Sequence, residues 1–293
     1  MSGFVDLHIH SDRSSDGEYS PAELIRMASE SGFVAISIAD HDTVAAYPEA
    51  VKAAEGSGVE VVPSMEVTTL FAGREFHVLL PFLNWESPAI RRLAERVSEE
   101  RLIEARERVA KLRVLGLDLT WEEVDAATKS TPPLGVTIAQ ILLEKPGSKN
   151  DPALKTYYEG EAKMRAPSRF YKDYFMEGKP AFVTKRHIPL LEVLAMAPEA
   201  GAVPVLAHPG AYFENATRDD IIRLKDRGLA GLEVYTSYHE PGQTAFFAEI
   251  ARDLDLVPTA GSDFHGRIKP HVHFGFVKDG GIWMVEELRK RRR

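Results

Sequence analysis

The sequence predicts an α/β protein of parallel β/α units with a block of helices set into it. Three observations lead there. Short apolar runs alternate with helix-period segments at close spacing, first up to Glu66 and again from Pro180 onward. Between Asn84 and Pro180 no strand signal appears, and the texture turns charged and helical. The apolar runs end in histidines or acids, and a β/α barrel brings its strand ends to one face.

Phe4, Val5 and Leu7 form the first strand, which runs into His8 and His10. Residues two apart in an extended chain point the same way, so both imidazoles can address one point. A polar loop over residues 11–17 carries Asp12 and Asp16. Ser20-Pro21-Ala22-Glu23 starts a helix, with a serine cap, proline at the first position and glutamate at the third. Leu24, Ile25, Met27 and Ala28 give it an apolar face, and Gly32 ends it. Residues 33–39 are a buried-type strand running into Asp40-His41-Asp42, where Asp42 is expected to cap the helix through Ala45, Val51 and Ala54. Residues 59–65 make a strand ending in Glu66, and residues 76–80 another with His77 inside it.

Residues 87–113 read as one long charged helix, followed by helices at Trp121 to Val124 and over residues 137–143, then by an aromatic, basic stretch over 157–175. Residues 98–175 are therefore taken as a helical insertion between two barrel parts, 1–97 and 176–293. Beyond it a short strand at 181–183 and a helix at 189–200 restart the rhythm. A strand at 203–207 ends in His208-Pro209-Gly210, one at 231–235 carries Glu233 and Tyr235, and one at 257–260 ends in Gly261-Ser262-Asp263-Phe264-His265. Helices at 219–227 and 244–254 separate them, and the basic run from Arg289 reads as a solvated chain end.

Bulk properties exclude several classes. With no cysteine among 293 residues, disulfides, thiolate zinc sites and cysteine nucleophiles are ruled out. A metal must be held by nitrogen and oxygen, which suits Mn²⁺, Fe²⁺ or Zn²⁺. A net charge of −8 speaks against coating nucleic acid, so no stable DNA binding is expected. No apolar run approaches the ~20 residues of a membrane span. The reading is a cytoplasmic protein without a membrane partner.

Collected, the strand ends are His8, His10, His41, Glu66, His208, Asp263 and His265, with His77 and Asp16 able to join them. Each alone is commonplace, but together they imply metal. Asp40 is read as a carboxylate orienting one of these histidines. Lys185, Arg186, Arg165 and Arg169 are candidates to grip phosphate, and Tyr212 to stack on a base or sugar.

The ordered motifs Asp6-Leu7-His8-Ile9-His10-Ser11, Ser15-Asp16-Gly17, Ala39-Asp40-His41-Asp42-Thr43, Glu66, Ala207-His208-Pro209-Gly210 and Gly261-Ser262-Asp263-Phe264-His265-Gly266 resemble those of the PHP (polymerase and histidinol phosphatase) family of phosphoesterases. The resemblance implies a distorted seven-stranded, TIM-like β/α barrel holding two or three divalent ions. It implies His8, His10, Glu66 and Asp263 around the first ion, Glu66, His77 and His208 around the second, and Asp16, His41 and His265 around the third. Phe170 to Val183 and Lys269-Pro270 are similar to the insertion-bearing bacterial group that includes nucleotide phosphatases and a 5′-to-3′ exoribonuclease. That group opens an insertion helix with Arg-Pro-His and has arginine after His-Pro-Gly. Here Leu134-Gly135-Val136-Thr137 and Ala211 stand in those places.

The expected function is hydrolysis of a nucleotide or sugar phosphate ester by ion-activated water, with Asp263 or His265 moving a proton to the leaving group. The alternatives are 5′-to-3′ exoribonuclease action on short RNA and cyclic-phosphate phosphodiesterase action, followed by histidinol phosphatase and a noncatalytic metal-binding module.

Overall fold

The computed structural model of the chain describes residues 3–128, 132–160, 163, 165–184, 186–211 and 214–292. In chain order the strands are β1 Phe4–Ile9, β2 Phe33–Ile38, β3 Glu60–Val61, β4 Glu66–Phe71, β5 Arg74–Leu79, β6 Ile188–Pro189, β7 Val205–Leu206, β8 Gly231–Thr236 and β9 Val257–Gly261. The helices are α1 Pro21–Glu30, α2 Tyr47–Ala54, α3 Pro88–Val114, α4 Trp121–Ala127, α5 Gly135–Glu144, α6 Ala166–Tyr174, α7 Leu190–Met196, α8 Arg218–Lys225, α9 Pro241–Asp253 and α10 Ile282–Lys290.

Among the described residues the strands form two sheets and no closed barrel. One is the parallel trio β1-β2-β3; the other has the order β6-β4-β5-β7-β8-β9. Single bridges, Ile9 to Phe264 and His41 to Glu66, tie the two sheets together at two seams.

The sheet is also not wholly parallel. β5 runs antiparallel to both β4 and β7. Ala72 (φ 50°) and Gly73 (φ 77°) both lie in the left-handed region, the two-residue turn that matches strand twist in a hairpin. Glu66 thus opens β4 instead of ending a strand, and the strand expected over 59–65 shrinks to β3. The strand expected at 181–183 is absent, and the pairing falls to Ile188–Pro189.

α1 starts as the sequence predicts, with Ser20 and Glu23 exchanging hydrogen bonds in a capping box. Asp42 does not cap α2, which begins at Tyr47 with no side-chain cap. Its carboxylate instead takes Arg101 of α3, with Nε at 2.7 Å, while Arg101 Nη2 also reaches Thr68 Oγ1 at 2.8 Å. Both ends of this pair are buried, so Asp42→Ala should cost about 3–5 kcal/mol, the penalty of leaving a buried guanidinium alone. Urea unfolding of the purified variant checks it, and a loss under ~1 kcal/mol would contradict the pairing.

Apolar clusters fill the space between sheets and helices, and a separate one gathers Ala105, Leu112, Ile138, Phe170 and Ala181 among the helices of the middle segment. The basic end is not a free tail: Arg289 pairs with Glu60, Arg291 with Asp255 at 2.6 Å, and both Arg289 and Arg292 lie over the Phe82 ring. No helix among the described residues is long and apolar enough to cross a membrane.

Candidate metal centre

The centre forms where β1, the turn after β2, β4, β5, the turn after β7 and the turn after β9 converge. Glu66 is its hub. Its Oε2 lies 3.2 Å from His8 Nε2, 3.2 Å from His10 Nε2 and 3.1 Å from His41 Nδ1. Its Oε1 lies 2.7 Å from His77 Nδ1 and 3.0 Å from His208 Nε2. Asp263 Oδ1 joins from the other side, 3.1 Å from His10 Nε2 and 3.6 Å from His8 Nε2. Asp16 Oδ2 completes a neighbouring group, 2.9 Å from His265 Nε2 and 3.7 Å from His41 Nε2.

All nine ligand candidates named from the sequence therefore meet. Their donor atoms fall into overlapping groups: His8, His10, Glu66 and Asp263; His10, Asp16, His41 and His265; His41, Glu66 and His77. A fourth group, His77, His208 and Glu214, includes a carboxylate that the sequence reading passed over. Asp263 (φ 57°) and His208 (φ 21°) hold positive backbone angles that non-glycine residues rarely adopt. Such conformations cost of order 1–3 kcal/mol and persist where surrounding contacts impose them.

Outer carboxylates fix the imidazoles. Glu233 lies 3.1 Å from His8 Nδ1 and accepts the His208 backbone N–H at 2.7 Å. Glu214 lies 3.3 Å from His208 Nδ1 and accepts the His77 backbone N–H at 2.8 Å. Glu75 lies 3.4 Å from His77 Nε2 and 3.2 Å from His187 Nε2. Carboxylates set this way hold ring orientation and tautomer for metal binding. Glu233→Gln should lower metal affinity about ten- to a hundredfold, read by competition with a chelating dye; unchanged affinity would remove Glu233 from this role. The hydrogen bonds of Asp40 run to the loop after β1. Its carboxylate accepts the Ser11 N–H and Oγ–H, each at 2.6 Å, and Ser14 Oγ, which also bonds Asp16, so it braces the loop that carries Asp16.

The electrostatics ask for cations. Burial pulls the His10 imidazole down, but Asp263 and Glu66 outweigh it and raise it to about 9. Burial opposes charge on His208 too, and Glu214 and Glu66 overcome it, again to about 9. Burial depresses His41 and His265 instead. Burial would raise Glu66, yet His41, His8 and His77 hold it well below the usual carboxylate range. Glu66 Oε2, Asp263 Oδ1 and His265 Nε2 are buried without a well-formed hydrogen bond. Buried polar atoms of this kind need a partner, and an all-nitrogen-and-oxygen donor set fits divalent ions.

The other predicted residues separate. Arg165 lines a cavity over the centre together with Lys172, Lys269, Arg101, Arg108 and Tyr171. Arg169 turns away to Thr156 and Asp173, and Arg186 pairs with Glu107 at 2.9 Å, outside that cavity. Lys185 and Tyr212 lie outside the described residues. Lys269 was quoted from the sequence only as part of a motif; its Nζ contacts Asp263 and lies 2.8 Å from Tyr238 Oη. Arg101, Glu104 and Arg108 were missed, although their i, i+3, i+7 spacing marks one helix face.

Comparison with known proteins agrees with this geometry. The PHP domain profile matches residues 6–174. The chain is 29% identical to a 5′-3′ exoribonuclease of Haemophilus influenzae, covering 90% of this chain and 91% of that protein. It is 27% identical to a 3′,5′-nucleoside bisphosphate phosphatase of Chromobacterium violaceum, covering 89% and 87%. A solved structure described as a metal-dependent phosphoesterase of Bifidobacterium adolescentis superposes with a TM-score of 0.84 at 27% identity, over 99% of this chain and 96% of that one. With the profile spanning more than half of its residues, this chain belongs to the PHP domain family and is a metal-dependent phosphoesterase, a hydrolase of ester bonds.

Proposed function

We propose that the enzyme hydrolyses a small phosphorylated substrate, a nucleotide or sugar phosphate, at a centre of two or three divalent ions. Contact of one carboxylate, Glu66, with five imidazoles from four chain segments carries this reading. We assign His8, His10, Glu66 and Asp263 to one ion, Glu66, His77 and His208 to a second, and Asp16, His41 and His265 to a third. Divalent ions held there supply Lewis acidity and activate water. Asp263 and His265 are the residues we assign to proton movement, with Lys269 beside them to meet a phosphate oxygen. Arg165 and Lys172 on the cavity wall add positive charge for an anionic substrate. Residues 98–175 act in this reading as a helical insertion that roofs the site.

The test is hydrolysis, followed by chromatography of the products, by the Mn²⁺-loaded protein of nucleoside bisphosphates, sugar phosphates, cyclic phosphates and short 5′-phosphorylated RNA. Hydrolysis of one or more small esters is expected. Hydrolysis of none of them would overturn the reading, and release of mononucleotides from RNA with no small ester hydrolysed would favour exoribonuclease action, the activity named for the Haemophilus relative.

A further inference from the structure

A line of largely buried charge leaves the metal centre and ends among the middle helices. It starts at His77, whose Nδ1 faces Glu66 at 2.7 Å and whose Nε2 lies 3.4 Å from Glu75 Oε1. Glu75 and His77 are two apart on β5 and so share a side of the strand. The other oxygen of Glu75 lies 3.2 Å from His187 Nε2. That same nitrogen lies 3.8 Å from Glu104 Oε2, while Glu104 Oε1 takes Arg108 Nη2 at 2.6 Å. Arg108 in turn lies over Tyr171 and Phe175, 5.5 and 5.0 Å from their ring centroids. All five members, from His77 to Arg108, line the cavity over the centre.

Local packing holds the line in place. Ile188 pairs with Thr69 of β4, which sets His187 beside the β4–β5 hairpin. Gly135 leaves room for the guanidinium, since a Cβ there would stand 2.8 Å from Arg108 Nη1 and 2.7 Å from the Tyr171 ring. One proton then decides the chemistry of the joint. Nε2 of His187 faces two carboxylates, which accept and do not donate when ionised, so the ring carries its hydrogen on that side. The shorter distance gives that hydrogen to Glu75. Glu104 is the rival acceptor, and Arg108 holds it back. Glu75, tied in this way, accepts from His77 Nε2 and leaves on Nδ1 the lone pair that an ion requires.

We propose that His187 is a positioning residue for the ion assigned to Glu66, His77 and His208, acting through Glu75, and that Arg108 keeps Glu104 from competing for it. The proposal rests on the metal-centre reading above and extends that centre to the middle helices.

Mn²⁺ affinity, read by competition with a chelating dye, tests this without any substrate. His187→Leu should weaken one bound Mn²⁺ about tenfold and leave any other within about threefold. His187→Gln, which returns an N–H₂ near the place of Nε2, should recover most of the loss. Arg108→Gln should weaken the same ion about threefold and add nothing when made in His187→Leu, because the two act through one joint. Unchanged affinity in His187→Leu overturns the proposal, and a lower melting temperature of its metal-free form would then mark a packing role alone. Equal losses in the leucine and glutamine variants overturn it too, as does an equal weakening of every ion or an Arg108→Gln effect of the same size in both backgrounds. If His187→Leu does not fold, unchanged affinity in Arg108→Gln overturns it by itself. A wild type that binds no Mn²⁺ counts against the metal centre as well.

Discussion

Glu66→Gln is expected to lower turnover by about a thousandfold or more, equivalent to about 4 kcal/mol of transition-state stabilisation. Glutamine keeps the shape, so the packing around a fully buried residue is preserved. It loses the charge on which the centre turns. The two carboxylate oxygens face five imidazole nitrogens, and a carboxylate accepts on both sides and can bridge two cations. Glutamine would present an N–H₂ to one of those sets of nitrogens and a weaker, neutral oxygen to the other. Metal content of the variant, measured by elemental analysis, should fall together with turnover, while circular dichroism stays that of the parent. Glu233→Gln, one contact further out, should lose far less, which separates a bridging carboxylate from an orienting one. A Glu66→Gln protein with full metal content and parental turnover would end the assignment.

The centre was legible because its residues sit at places that sequence patterns mark. His8 and His10 repeat at i, i+2 on a strand, and His41, His208, Asp263 and His265 follow apolar runs. The supporting layer carried no such mark. Glu214 lies in a turn between Ala211 and Thr217, and His187 sits beside a two-residue strand too short to show a period. Arg101, Glu104 and Arg108 were hidden for another reason. A helix as charged as α3 reads as solvated, yet these three are buried because each finds an opposite charge: Asp42 for Arg101, and Glu104 for Arg108 at 2.6 Å. The β4–β5 hairpin escaped because its turn is Ala72-Gly73 and lacks the Asn-Gly or Asp-Gly signal. α10 was masked by its basic end, although Val285 and Leu288 are buried against the sheet. The distorted seven-stranded barrel was what the family resemblance implied, and among the described residues the strands instead form two sheets that meet only at the seams at Ile9 and His41.

Removing divalent ions should abolish turnover, with Mn²⁺ restoring it, and the stability gained on reloading should grow with pH. The direction follows from the imidazoles. In the metal-free chain His10 and His208 are raised to about 9, above the ordinary ~6.5 of an unfolded histidine. Protonation therefore stabilises the metal-free fold: the contribution is complete below about pH 6.5 and is lost as pH rises through about 9. His8 and His77 are raised as well and act in the same sense. Metal needs these rings deprotonated, so its binding tightens over the same interval while proton stabilisation fades. The gap in melting temperature between Mn²⁺-loaded and chelated protein should be smallest near pH 6 and clearly wider near pH 8.5. A gap that stayed constant or narrowed would mean that protons and metal do not compete for these nitrogens. Burial depresses His41 and His265, so they add less to the proton release. The pH dependence is therefore carried by His8, His10, His77 and His208, and an ion bound only at Asp16, His41 and His265 would leave it much flatter.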